Sequence, residues 1–246
     1  MQMYMSQANA LHEPFFSMKN GLKESAVHVF EPNAPVLNHE KLLRVQGYSN
    51  MLKVRPAIVH SAKEMARRAE KLTRPNIAYK FLRIQSLDCD GIQLEFGARL
   101  SSPAFQSKLA GCVELIPFVM SCGTPLSQTI IDLAEGGDLL EAVLLETAGW
   151  LCIEDATRQF KEFIRSLVDA RGYRMSSRMG PGYTYQIGAE QVHWPLEDHP
   201  AFFQLFGDSV LPATLMSSCG MNPKLSRSGL YGIAPLEPRS LQVGIS

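Results

Sequence analysis

The 246-residue sequence lacks an excess of charge of either sign: 24 Lys and Arg stand against 24 Asp and Glu. It therefore has no net field to draw in nucleic acid or an anionic membrane, and neither is expected as a partner. Any anion it binds must be held by a few locally placed groups. Cysteines are few and scattered (Cys89, Cys112, Cys122, Cys152, Cys219), with no C-x-x-C pair. An odd, dispersed set leaves at least one thiol free, which fits a reducing compartment better than a disulfide scaffold. Long apolar runs are missing too. The most apolar stretch, 139–153, carries Glu141 and Glu146 and falls short of the roughly 20 residues a membrane helix needs. The first residues, MQMYMSQANALHEPFF, show no basic segment followed by an apolar one, so no secretory leader is expected. A cytoplasmic protein is the reading these absences favour.

Several catalytic signatures are also absent. The sequence has no G-x-x-x-x-G-K-[ST], no G-x-S-x-G, no H-E-x-x-H and no G-x-G-x-x-G after a strand, which removes the commonest nucleotide, hydrolase and zinc-protease patterns. His193, Asp198 and His199 are the nearest metal-like set. Pro195 and Pro200 break their spacing, and a solvated loop is the expected reading. Ser217, Ser218 and Cys219 offer nucleophiles without a nameable base. No catalytic residue and no metal ligand is assigned.

What is present is a foldable chain, 46% apolar and 20% charged, with enough length for a substantial core. Residues 1–36 contain Pro14, Pro32 and Pro35 and no sustained period, and are expected to form an irregular arm. A domain should occupy 37–236 and a tail 237–246. Asn38 can cap a short helix that Gly47 ends. Ile58, Ala62, Met65, Ala69 and Leu72 form one helical stripe closed by Pro75. Strands are expected in 77–87 and, after the Asp90-Gly91 turn, in IQLEFGA. Ser102-Pro103 should open a helix that Gly111 stops, VELIPFVMS should be a buried strand, and Thr124-Pro125 should open a helix ending at Gly136-Gly137.

Asp138 then begins the longest helical pattern, running to Gly172, with an apolar and central first half and an amphipathic second half nearer the surface. After Gly172 the chain becomes richer in Gly, Pro and Ser, with a short helix in WPLEDHPAFFQLFG and strand-like LPATLMS and GLYGIA. The mixed order of helices and strands, without βαβ regularity, predicts an α+β fold.

One loop and one carboxylate carry the chemistry. In Arg178-Met179-Gly180-Pro181-Gly182-Tyr183, two glycines flank a proline and permit close approach of a ligand to the backbone. Arg178 offers a bidentate grip on a carboxylate or phosphate. Glu154 lies in the apolar half of the long helix, where an unpaired carboxylate is costly. Taken alone, the loop reads rather as an ordinary loop with a surface arginine, and Glu154 reads also as the structural partner of an arginine or as a carboxylate exposed at the edge of the stripe. A zwitterionic ligand would use both, Arg178 for its carboxylate and Glu154 for its ammonium.

The ordered motifs resemble a known family. Arg178, Gly182 and Tyr183 match an R-x-x-x-G-Y loop; Ser217, Met221 and Pro223 match S-x-x-x-M-x-P; Ser228 and Gly229 match the S-G before an apolar strand. Together with the Gly137-to-Glu154 succession, this is similar to the activation domain of cobalamin-dependent methionine synthase, especially its stand-alone versions. The likeness runs through residues 120–235 and more weakly through 38–119. It implies a C-shaped single α+β domain with a long central helix and a mainly antiparallel sheet.

It also implies a function. S-adenosylmethionine would be bound by Glu154, Arg178, Gly180, Gly182 and Tyr183, with the loop backbone facing the adenosine. Cobalamin would sit on a partner chain, a corrinoid-binding protein or methionine synthase, since no D-x-H-x-x-G occurs here. A flavodoxin-like reductant would supply electrons for remethylation of the cobalt. The other open reading is an interaction module that docks on a corrinoid methyltransferase without using S-adenosylmethionine.

Overall fold

The computed structural model describes residues 26–236. In chain order it contains β1 (His28–Phe30), α1 (His39–Val45), α2 (Pro56–Leu72), β2 (Asn76–Tyr79), β3 (Leu82–Asp88), β4 (Gly91–Leu94), β5 (Arg99–Leu100), α3 (Phe105–Lys108) and β6 (Glu114–Ser121). There follow α4 (Thr124–Glu135), α5 (Leu139–Asp169), β7 (Tyr173–Met175), β8 (Thr184–Ile187), β9 (Glu190–His193), α6 (His199–Gln204), β10 (Thr214–Leu215), β11 (Met221–Asn222) and β12 (Ser226–Pro235). The fold is α+β, with an antiparallel sheet and one 31-residue helix.

β6 is the centre of the sheet, and all eight of its residues are buried. It pairs with β12 along its whole length on one side, and with β2 and then β3 on the other. A proline inside a central strand normally costs a ladder bond. Here Pro117 accepts from the Lys80 N–H at 3.1 Å, in the short interruption between β2 and β3. Its missing N–H therefore faces the one place where no regular pairing is required.

Side chains alternate across the sheet and build a core on each face. One core joins Ile116, Phe118, Met120, Tyr231 and Ile233 to α2 and the α5 residues Phe160, Ile164 and Val168. The other joins Leu115, Val119 and Leu230 to Trp194, Phe202 and Phe206. β12 is thus sandwiched, with Arg227, Gly229 and Tyr231 toward α5 and Ser228 and Leu230 toward α6. This alternation positions the site.

Two expectations are corrected. His28–Phe30, inside the stretch expected to be irregular, forms a strand paired with β2; Phe30 stacks on Phe163 at 4.7 Å between ring centroids, which ties it to the core. The rest of the expected arm before residue 26, and the tail from 237, lie outside the described residues. The helix expected from Ser102 shrinks to a single turn, α3, beginning after Ala104. In α5 burial follows the expected order: Leu144, Leu145, Ala148, Leu151, Cys152 and Ile153 of the first half lie in the core, although Leu139, Leu140, Val143 and Trp150 are exposed, whereas the second half buries a narrower stripe led by Phe160, Ile164 and Val168. Among the described residues, no helix is long and apolar enough to cross a membrane.

Candidate functional site

The site forms where the 178–183 loop is fastened to β12. Met179 and Leu230 exchange both backbone hydrogen bonds, at 2.9 and 2.7 Å. Gly229 makes this approach feasible: a Cβ there would lie 2.7 Å from the Met179 carbonyl oxygen and 3.3 Å from Cγ of Arg178. Only glycine lets the Arg178 side chain cross the strand at this point. The turn continues through Gly182, in the left-handed region at φ +83°. The Gly182 N–H donates to the Trp194 carbonyl at 2.7 Å, and the Trp194 N–H returns a bond to Tyr183 at 2.9 Å.

Arg178 lies with its guanidinium 4.6 Å from the Tyr183 ring centroid, a cation–π arrangement. One of its nitrogens makes a long 3.5 Å contact to the Ser228 carbonyl. Two residues before Gly229 on the same face of β12 is Arg227, which is buried. It donates to Thr157 at 2.9 Å and to the carboxylate of Glu154. Glu154 is held by one oxygen, and 61% of its side chain remains exposed. Arg178 and Tyr183 thus meet beside Ser228 and Gly229, and Glu154 is joined to the same strand through Arg227.

No family model matches the sequence, and no curated protein matches it. A solved structure does: the crystal structure of the MetH reactivation domain bound to AdoHcy superposes with a TM-score of 0.59 at 14% identity, over 85% of this chain and 79% of that one. The chain has the fold of the MetH reactivation domain. In this reactivation-domain fold, α5 and the 178–183 loop both meet β12 as just described.

Gly180 is already satisfied internally. Its N–H donates to the Tyr185 hydroxyl at 2.7 Å, and that hydroxyl donates back to the Gly180 carbonyl at 2.9 Å. Both backbone groups of Gly180, one residue of the stretch expected on the adenosine side, are engaged by Tyr185. A side chain able to do this was visible two residues after Tyr183, but its aim was not. Burial raises the Tyr185 hydroxyl pKa, partly offset by the bond to Gly180, so the hydroxyl stays protonated and able to donate.

The charges are not symmetric. The hydrogen bond from Arg227 holds the Glu154 carboxyl below its ordinary range; burial opposes this, and the charges of Arg227, Arg178 and Lys41 add to it. Glu154 is thus an ionised group in a positive field, and Arg227 is the partner that sequence reasoning missed. The signal was the period-two spacing of Arg227, Gly229 and Tyr231, which puts all three on one face.

On the other face of β12 the His193, Asp198 and His199 set takes a different form. His199 is buried rather than solvated, because α6 packs it under the strand. Its Nδ1 lies 2.7 Å from the Cys219 carbonyl and its Nε2 2.7 Å from the Ser228 hydroxyl. A carbonyl only accepts, so Nδ1 carries the proton and Ser228 donates to Nε2. Burial lowers the His199 pKa, against the raising effect of the Cys219 carbonyl. His193 stays exposed, 3.2 Å from the Thr184 hydroxyl. Among the described residues no three His, Cys, Asp or Glu side chains gather in a way that could hold a metal ion. The Ser217–Cys219 stretch contributes a carbonyl to His199.

Proposed function

We propose that this protein binds S-adenosylmethionine through Arg178 and Glu154, and that it supports reductive remethylation of cobalamin on a separate corrinoid protein or methionine synthase. The observation that carries the reading is the Arg178–Tyr183 loop set across Gly229 on the strand whose Arg227 holds Glu154, in a fold shared with a domain whose crystal structure contains AdoHcy. Arg178 would take the ligand carboxylate, and the free oxygen of Glu154 its ammonium. Gly180, Gly182 and Tyr183 would shape the wall on the adenosine side rather than donate freely to it, because Tyr185 and Trp194 occupy much of that backbone.

The corrin would supply the nucleophilic cobalt, and a flavodoxin-like protein or another reductant the electrons. This chain's share is placement of the methyl donor. No residue is assigned proton transfer or covalent attack. Titration calorimetry on the full chain with S-adenosylmethionine tests the reading. Saturable binding is expected, weakened about tenfold or more in Arg178→Ala, as loss of a charge-assisted grip on a carboxylate requires. Silence in the wild type, or equal binding by the variant, overturns it.

A second reading has its own observation. Glu154 is already paired with Arg227, so the chain is able to sit stably as a docking module on a corrinoid methyltransferase without ligand. Capture of a corrinoid protein by a chain that gives no calorimetric signal selects that role.

A further inference from the structure

The two groups at this site that would attract a ligand's positive charge are both already engaged by the protein's own arginines. Arg227, buried beneath the strand, bonds the Glu154 carboxylate. Arg178 lays its guanidinium on the Tyr183 ring, the aromatic face on which a ligand cation would otherwise rest. Lys41 on α1 also acts on Glu154. One arginine therefore contacts the carboxylate, and the charges of Arg178 and Lys41 add to the positive field on it.

S-adenosylmethionine and S-adenosylhomocysteine share the same amino-acid end, one carboxylate and one ammonium. They differ by one methyl group and by one positive charge at sulfur. A site with surplus positive charge tolerates the first difference easily and opposes the second, and the opposition grows as water is excluded. We propose that this site is charge-selective and holds the neutral thioether S-adenosylhomocysteine more tightly than the sulfonium. The inference rests on the S-adenosyl amino-acid site proposed above. It makes the site one that retains the demethylated ligand and responds to the ratio of the two forms.

The test is titration calorimetry of the full chain with S-adenosylmethionine, S-adenosylhomocysteine and sinefungin, which carries a protonated amine in place of the sulfonium. At low salt the thioether should bind about fivefold tighter than either cationic ligand, and the gap should narrow toward 0.5 M salt, where the Debye length is only about 4 Å. Arg227→Met returns the carboxylate of Glu154 to a ligand and should bring the gap under about twofold by improving the cationic ligands. Glu154→Gln, which keeps both arginines, should widen it. The salt titration needs no variant, so the proposal stays testable even if Arg227→Met fails to fold.

Equal or tighter binding of S-adenosylmethionine by the wild type overturns the charge selection and leaves the site standing. A gap that salt and Glu154→Gln leave unchanged overturns it as well. Binding of none of the three ligands overturns the site itself.

Discussion

The two faces of β12 carry polar groups of opposite kind at consecutive positions. Toward α5, Arg227 is a buried cation whose carboxylate partner reaches water. Toward α6, His199 and Ser228 form a buried pair with no net charge. A fully enclosed ion pair pays the desolvation of both ions. Arg227 avoids half of that cost because Glu154 lies at the rim, while a group placed under α6 must be neutral to be stable there. The ion pair accordingly belongs to the α5 face, and the buried imidazole bonded on both of its nitrogens to the α6 face.

Both faces share the apolar packing that encloses them, and its loss should give the largest effects. Phe160, fully buried against Phe118 and Tyr79, anchors the α5 face. Trp194, fully buried edge-on to Phe105, anchors the other. Truncation of either to Ala should cost about 3–5 kcal/mol in urea unfolding. Trp194→Phe should cost far less than Trp194→Ala, because it discards an indole N–H that has no partner among the described residues. A silent Phe160→Ala with a severe Trp194→Ala would mean that the two faces do not unfold together.

The α5 face should then show a directional asymmetry. Glu154→Gln strands the buried guanidinium of Arg227 and should destabilise by about 1–3 kcal/mol, less than for a fully enclosed pair because the carboxylate side is solvated. Arg227→Met leaves Glu154 free to hydrate and should cost about 1 kcal/mol or less. Denaturant midpoints of the two variants decide it. The reverse order would show that burial of Arg227 is not what sets the energetics of the pair.

The α6 face should report through pH. Burial depresses the His199 pKa in the fold, so the unfolded chain takes up a proton first as pH falls through 6.5. Stability from this group is full above that value and declines on acidification. His199→Gln should cost about 1–2 kcal/mol at pH 8, where Ser228 loses its acceptor, and should have a flatter profile between pH 7 and 5. Some slope must remain, since burial lowers the His28 pKa as well. An identical pH profile in the variant would place the acid sensitivity elsewhere.

These pairs mark where sequence reasoning reached and where it stopped. The stripe of α2, the buried β6 and the Gly136-Gly137-Asp138 break between α4 and α5 were legible because each is encoded within a few residues. So was the Arg178 loop, whose glycines announce its turn. Arg227 and Glu154 are 73 residues apart, and His199 and Ser228 are 29. No local period signals such partners. β1 was missed for a related reason: three residues cannot display a period, and the strand exists only because β2 supplies its ladder. Tyr185 shows a further limit, since its bonds to Gly180 depend on a turn geometry that the residue order permits without requiring it.

The smallest effect should come from the arginine with the most visible ion pairs. Arg158 on α5 bonds Asp155 at 2.6 Å and Glu162 at 3.0 Å, more carboxylates than Arg227 meets. All three side chains lie on one helix at i,i+3 and i,i+4 spacing, and the guanidinium is exposed, so water competes for every bond and salt screens what remains. Arg158→Ala should therefore leave both the denaturant midpoint and ligand binding within experimental error, while Glu154→Gln, one turn earlier on the same helix, shifts both. A loss in Arg158→Ala comparable to that in Glu154→Gln would mean that the number of carboxylates, rather than the burial of the arginine, decides what an ion pair on α5 contributes.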